Sequence, residues 1–368
     1  MRKKTVEIFL EMLRSGLWEK EARLSQFGEV DFEEIRDLAK QQSVVGLVTA
    51  AFDHIEDYKV PKRDVLNFFQ HVYVLEKRNQ DMNSFIEDLW HRLAENGIEA
   101  VLVKGQGIAT CYERPLWRES GDVDILLMPE NFDKANEVFR PLASSFSKEL
   151  GLHSQLNIGK WSVEIHGSQG CGLSSPMDAF LADLRNKTFE NGGIRIWHDG
   201  KTDIPLPEEN NDVIFVFTHF LKHFYKGGLG LRQICDWSRL MWTYRDSLDS
   251  GLLISRLQQL GLVSEWKAFC SFAVEYLGMP KEAIILYDDS AKWKRKAARI
   301  LSFLMRSGNF GHNRGNEYQH YPYLMKKTVS MSRRVADFSR HMRIFPTDSL
   351  KFLTGILKNG VKAVSKGI

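Results

Sequence analysis

The segment 121–127, Gly-Asp-Val-Asp-Ile-Leu-Leu, places two aspartates two residues apart inside an otherwise apolar run. Because successive side chains of a β-strand point to opposite faces, Asp122 and Asp124 share one face and the intervening apolar residues pack on the other. Neighbouring carboxylates repel each other, and aspartate is rarely buried without a partner. One or two divalent cations would relieve both costs, so the segment predicts a Mg²⁺ or Mn²⁺ site for phosphate chemistry.

The composition is that of a globular chain. Its 368 residues are 43% hydrophobic, enough to bury a substantial core and to form two or three structural units. The first apolar run is too short and too charged for a signal peptide or a transmembrane segment. The four cysteines are widely spaced and form no CxxC pair, which argues against a zinc ribbon or a disulfide framework. We therefore expect a cytoplasmic protein.

Positive charge is concentrated in the last part of the chain. Residues 326–368 carry ten Lys/Arg and two Asp, about +8, whereas the whole chain has a net charge of +3. Such a segment can make a peripheral contact with an anionic surface or a partner, and a pair of solvated basic helices is the alternative. Because the rest of the chain is net acidic, a nucleic-acid partner is not expected.

The spacing of apolar residues predicts an α+β chain in which a small mixed β-sheet lies between helical regions. Helical spacing runs from 6 to 96, with its longest helix at about 63–95, and returns from 210 onward. Strands are predicted at about 98–103, 122–127, 146–150, 152–158, 160–166 and 194–197. We divide the chain into four parts: an N-terminal helical region (1–97), an α+β core (98–207), a helical substrate-side domain (208–322) and basic C-terminal helices (323–368).

A turn between the first strand and a short helix carries Lys104, Gly105, Gln106 and Gly107. Backbone N–H groups and an ammonium would converge there, which is an anion-binding arrangement, although a simple turn has the same sequence. Arg114 and Arg118 follow in the next loop. Either guanidinium can reach a phosphate or hold the carboxylates in place, or can form a surface salt bridge.

A third acid occurs on a later strand, 161–166. Ser162, Glu164 and His166 share one face of it, the same face that the two aspartates are expected to use. A site for two metal ions needs at least three protein carboxylates, one of which can accept a proton from an attacking hydroxyl. Glu164 supplies the third, unless it is an ordinary exposed strand residue.

These motifs resemble the nucleotidyltransferases of the DNA polymerase β superfamily, and within it a large, poorly characterised bacterial group. The matching residues are Lys104-Gly105, Arg118 and Gly121-Asp122-Val123-Asp124. The resemblance implies a palm-like sheet, followed by an all-helical region. It also implies that Asp122, Asp124 and Glu164 bind the metal ions, and that Lys104, Gly105, Arg118 and Gly121 contact the nucleotide.

The reaction that this resemblance implies is the transfer of a nucleoside monophosphate from a nucleoside triphosphate to a hydroxyl or phosphate. The acceptor, a small molecule or a protein, is not identified by the sequence. Two alternatives remain. A metal-dependent glycosyltransferase also uses an Asp-x-Asp motif, in that case to hold a nucleotide sugar, and a non-catalytic binding module would keep the fold without the reaction.

Two residue pairs on the predicted C-terminal helices are further candidates for substrate binding, together with His166. His219 and His223 are four residues apart, so they face the same way, as metal ligands, core residues or residues lining a substrate pocket. The HExxH motif of zinc proteases is not present. Arg232 and Asp236 have the same spacing and predict a helix-face ion pair, with a role in the substrate pocket as the alternative.

Overall fold

A computed structural model of the chain describes residues 3–148, 151–190, 192–200, 202–226, 228–309 and 323–353. Within 323–334 it describes the side chains of Met325 and Ser332 only. The segments 310–322 and 354–368, the second of which contains three of the ten Lys/Arg of residues 326–368, lie outside this description. The expectations for the basic region therefore remain predictions.

A five-stranded mixed sheet forms the centre of the fold, as the sequence predicts. Its strands, in the spatial order β1-β2-β5-β4-β3, are antiparallel to their neighbours except for the parallel pair of β2 and β5. The strands are β1 (Ala100–Val103), β2 (Val123–Leu127), β3 (Ala143–Lys148), β4 (His153–Ile158) and β5 (Trp161–His166). The fold class is thus the predicted α+β arrangement.

The register of these strands brings the polar side chains together. Asp124 on β2 is paired with Glu164 on β5, and it is also the partner of the last residue of β1, Val103. On the other side of β5, His153 of β4 is paired with His166. Because paired residues of neighbouring strands project from the same face, the sheet gathers two acids and two histidines on one surface.

Two elements in this region were not predicted from the sequence. The strands β6 (Ile194–Asp199) and β7 (Thr202–Pro207) form a hairpin. The sequence predicted β6 but not β7, because Pro205 and Pro207 indicated the end of the α+β core. Proline is tolerated on such an edge strand. Helix α7 (Ser175–Thr188) begins at Ser174, whose hydroxyl accepts a bond from the Met177 amide, and has a proline in its first turn.

Helices precede and follow the sheet, as predicted. The N-terminal helices are α1 (Lys3–Trp18), α2 (Phe32–Gln42), α3 (Val45–Ala50) and α4 (Lys62–Glu95), and two short ones, α5 (Gly105–Ala109) and α6 (Phe132–Phe139), lie between strands. After the hairpin come α8 (Glu209–Lys226), α9 (Leu231–Thr243), α10 (Ser250–Leu260), α11 (Val263–Leu277), α12 (Ala291–Ser307) and α13 (Tyr323–Ile344). Among the described residues, no helix combines the length and the hydrophobicity needed to cross a membrane.

In the described part of the chain, two hydrophobic cores stabilise this arrangement. One lies under the sheet, and the other joins the N-terminal helices to the C-terminal helices. Helix α4 contributes to both, with Phe68 in the helical core and Met82 and Ile86 in the sheet core. The Trp18 indole of α1 donates a hydrogen bond to the carbonyl of Leu277 in α11 at 2.5 Å. Residues from both ends of the described chain therefore form one helical unit, against which the sheet packs.

Candidate functional site

A cleft of about 250 Å³ lies between the polar face of the sheet and helices α8 and α9. One wall, called here the sheet wall, is formed by Lys104, Gly105, Gly121, Asp122, Asp124, His153 and Glu164. The opposite or helical wall is formed by Val216, His219, Phe220, Lys222, His223, Arg232, Gln233 and Asp236. Arg118, from the loop before β2, also lines the cleft. The cleft therefore brings together the predicted site residues except Arg114 and His166, and His166 lies beside the acids.

Three carboxylates meet on the sheet wall. Oxygen atoms of Asp122, Asp124 and Glu164 lie within 4.8 Å of one another. The negative charge of Asp124, and then burial, raise the pKa of the Asp122 carboxyl above its ordinary value. Oxygen ligands of this kind are what Mg²⁺ and Mn²⁺ prefer, and a cation among them would remove the repulsion that raises this pKa. The residues present therefore fit a divalent metal.

Lys104 neutralises part of this negative charge. Its ammonium Nζ lies 2.6 Å from Asp124 Oδ1. Burial acts to lower the pKa of Lys104, but the negative charges of Asp124 and Asp122 have a larger effect, and the pKa is raised above its ordinary value. The ammonium therefore stays charged. The backbone of Lys104 has φ 61° and ψ −142°, a conformation that a residue with a side chain rarely adopts and that costs about 1–3 kcal/mol. The turn thus holds a strained residue where its ammonium reaches the acids.

Two histidines surround the third acid. His166 Nε2 lies 2.9 Å from Asp124 Oδ1, and the Nε2 atoms of His153 and His166 each lie 3.4 Å from Glu164 Oε2. Their hydrogen bonds, first that of His153, lower the pKa of the Glu164 carboxyl. Burial alone would raise the pKa of Asp124, but Lys104 and His166 hold it below its ordinary value. The sequence analysis did not select His153. Its only indication in the sequence was that it shares a face of a short predicted strand with Gln155.

Arg118 forms a buried ion pair with the helical wall. Its Nε and Nη2 atoms donate to the two carboxylate oxygens of Asp236, each at 2.7 Å, and the Tyr112 hydroxyl donates to the same carboxylate at 2.7 Å. Burial lowers the pKa of the Arg118 guanidinium, but Asp236 more than compensates and raises it. The remaining nitrogen, Nη1, is buried and has no hydrogen-bond partner among the described residues. Nη1 carries two N–H groups, so Arg118 retains hydrogen-bond donors beside the cleft that no described residue uses.

The predicted helix-face pair of Arg232 with Asp236 is replaced by this longer-range contact. Arg232 instead donates from Nη1 to the backbone carbonyl of Glu119 at 2.9 Å. Its Nε is buried without a hydrogen-bond partner among the described residues. Arg114, a sequence candidate for phosphate binding, pairs with Glu19 and Asp53 and so takes the salt-bridge alternative.

His219 and His223 face each other across one turn of α8, with their Nε2 atoms 3.0 Å apart. Burial, and then the nearby charge of Lys104, lower the pKa of His219 well below its ordinary value. Burial and Lys222 lower the pKa of His223 to about 4. Both imidazoles are therefore neutral at pH 7 and line the cleft as polar, uncharged groups.

Comparison with known proteins agrees with this geometry. The sequence profile of a family described as uncharacterised nucleotidyltransferase matches residues 28–278, which is more than half of the chain and includes every residue of the cleft. No curated protein and no solved structure matches the chain. By the extent of that one match, the chain belongs to this nucleotidyltransferase family.

Proposed function

We propose that this protein transfers a nucleoside monophosphate from a nucleoside triphosphate to an acceptor hydroxyl or phosphate. Asp122, Asp124 and Glu164 would hold two divalent metal ions, Mg²⁺ or Mn²⁺, as in enzymes of the DNA polymerase β superfamily. The observation that carries the proposal is the meeting of these three carboxylates at one cleft, opposite a wall of basic and neutral polar groups. The reaction would take place in the cytoplasm.

Metal ions bound to these acids would neutralise triphosphate charge and lower the pKa of the attacking hydroxyl. The protein's own part is to fix the ligands: strand pairing sets Asp124 beside Glu164, and two neighbours hold the Asp124 carboxylate in place. Those neighbours are Lys104 and His166. A ligand set held in this way needs little rearrangement when it binds its cations.

Phosphate oxygens would find hydrogen-bond donors on both sides of the acids. Lys104 supplies an ammonium, and Arg118 and Arg232 each have one buried nitrogen without a partner among the described residues. A buried donor left unpaired costs about 1–3 kcal/mol, which an anionic substrate would recover. Gly105 and Gly121 line the same side of the cleft, and a Cβ at Gly121 would meet nothing within 4 Å, so a ligand has room there.

The acceptor would lie toward the helical wall. His219, His223 and Lys222 form this part of the cleft, where neutral imidazoles can hydrogen-bond a hydroxyl and the ammonium can attract an anion. A small molecule or a protein side chain fits this description. Membership of a nucleotidyltransferase family favours this reaction over the glycosyltransferase and the non-catalytic alternatives.

The test is incubation of the purified protein with each nucleoside triphosphate, radiolabelled at the α-phosphate, together with Mg²⁺. We expect pyrophosphate release and label on an added acceptor or on the protein itself, both abolished by chelation of the metal. Asp122→Asn should abolish both signals. Asp203→Asn, at an exposed position on β7, is the matched control and should retain them. A wild-type protein that releases no pyrophosphate from any triphosphate would refute the proposal.

A further inference from the structure

A second group of potential metal ligands adjoins the three carboxylates. It consists of His153, Glu164 and His166, whose ligand atoms all lie within 4.8 Å of one another. Strand pairing builds this group: His153 on β4 is the register partner of His166 on β5, and Glu164 lies two residues before His166 on the same face. The sequence alone did not predict it.

The distances within this group also fit a bound ion. Each histidine Nε2 lies 3.4 Å from Glu164 Oε2, which is long for an N–H···O hydrogen bond. Ligands placed about 2.0–2.1 Å from a tetrahedral ion are separated from each other by roughly 3.4 Å. The two imidazole rings stack with their centroids 4.6 Å apart and an angle of 20° between planes, which keeps both histidines beside Glu164.

The ligand types distinguish this position from the neighbouring one. Mg²⁺ takes oxygen ligands and keeps several waters, whereas imidazole nitrogen is a ligand of Zn²⁺ and similar transition metals. Both positions use Glu164. The Mg²⁺ position is completed by Asp122 and Asp124, and the second position is completed by His153 and His166. A single cleft therefore offers an oxygen-only position and a mixed nitrogen and oxygen position.

From this geometry we propose that His153, Glu164 and His166 bind one Zn²⁺ ion, or a similar divalent transition metal, beside the Mg²⁺ position. Side chains of the three are 19%, 25% and 17% exposed, so an ion has access to them from the cleft that His153 lines. Binding of this ion requires His166 Nε2 to give up its 2.9 Å hydrogen bond with Asp124 Oδ1, and otherwise rests on the three residues alone. Its bearing on catalysis, through the shared Glu164, rests on the proposed function.

The test is a titration of the full-length protein with Co²⁺, a spectroscopic substitute for Zn²⁺, in the presence of excess Mg²⁺. We expect one equivalent to bind with the intense visible absorption of four- or five-coordinate Co²⁺, and Zn²⁺ to displace it. His153→Gln and His166→Gln should each weaken binding at least about tenfold, because each removes one ligand. Asp122→Asn should bind Co²⁺ as the wild type does, because this residue belongs to the other position.

His198→Gln is the matched control, because this histidine is exposed on β6 and pairs with Asp203 away from the cleft. Its Co²⁺ affinity should equal that of the wild type. The proposal is overturned if the wild type shows only the weak spectrum of six-coordinate Co²⁺ or no saturable binding, or if folded His153→Gln binds as tightly as the wild type. Co²⁺ binding without pyrophosphate release would refute nucleotidyl transfer while leaving this site intact, so the two proposals fail in different ways.

Discussion

The two walls of the cleft differ in charge and in how their charges are balanced. On the sheet wall, Asp122, Asp124 and Glu164 lie close together, and one carboxyl keeps a raised pKa because its neighbour repels it. On the helical side, the Asp236 carboxylate is fully engaged by Arg118, and what remains are spare N–H donors and neutral imidazoles. One wall thus carries an excess of negative charge, and the other carries hydrogen-bond donors that have no acceptor among the described residues. A metal-bound phosphate would balance both.

The largest effect expected on the sheet wall is the loss of activity in Asp122→Asn and Asp124→Asn. Each substitution removes a proposed metal ligand, and we expect nucleotidyl transfer to fall by at least about 10³-fold, or roughly 4 kcal/mol in the activation barrier. Pyrophosphate release at saturating triphosphate measures it. Asp122→Asn should keep its melting temperature, because the loss of this charge relieves repulsion by Asp124. Full activity in Asp122→Asn would contradict the assignment of the metal site.

On the helical wall, the largest expected effect is on stability. Asp236→Asn leaves the buried Arg118 guanidinium without its counter-ion, and we expect a loss of about 3–5 kcal/mol in the free energy of unfolding. Urea denaturation measures this loss. The matched control is Asp53→Asn, which breaks the more exposed pair with Arg114 and should cost about 0–1 kcal/mol. Equal losses in the two variants would show that burial of the Arg118 pair has no energetic consequence.

A pH dependence should also arise from the helical wall. Burial lowers the pKa of His223 to about 4, from 6.5 in the unfolded chain. As the pH falls from 6.5 toward 4, the unfolded state therefore takes up a proton that the folded state does not, and stability decreases by up to about 1.4 kcal/mol per pH unit. His223→Gln should flatten the slope in this window, as measured by urea denaturation at several pH values. The contribution of His223 is refuted if the variant keeps the wild-type slope.

The smallest expected effect concerns the strained turn of the sheet wall. Lys104→Ala and Lys104→Gly both remove the ammonium, but only glycine adopts φ 61° and ψ −142° without strain. We therefore expect the glycine variant to be more stable than the alanine variant by about 1 kcal/mol, while both lose activity. Thermal unfolding of the pair measures the difference. An alanine variant at least as stable as the glycine variant would mean that the turn relaxes without cost.

Sequence reasoning reached the sheet wall more completely than the helical wall, for a physical reason. Alternation along a strand shows which residues share a face, so the sequence was sufficient to predict that Asp122, Asp124 and Glu164 come together. The pairing of Arg118 with Asp236 joins residues 118 positions apart, and only the packing of α9 against the loop before β2 brings them together. His153 was missed for a similar reason, because its importance depends on which strand lies beside β5.

The secondary structure, too, was predicted correctly where the local sequence pattern determines it and was missed where contacts with a distant segment do. The long apolar stripe of α4 and the regular spacing in α8–α12 were sufficient to predict helices, and their existence is confirmed. The strand β7 was missed because the local signal of Pro205 and Pro207 indicates an end of regular structure. Its pairing with β6 stabilises the strand nevertheless. The proposed boundaries of the four regions stay predictions.

The helical core has a consequence for how the chain is made. Trp18 and the carbonyl of Leu277 that it contacts are separated by 259 residues. At a synthesis rate of about 5–20 residues per second, the N-terminal helices leave the ribosome roughly 10–50 s before their partners exist. During that interval their apolar faces are uncovered, which is the condition under which nascent chains bind chaperones or aggregate. Yield in a cell should therefore depend on how fast the ribosome delivers α8–α11.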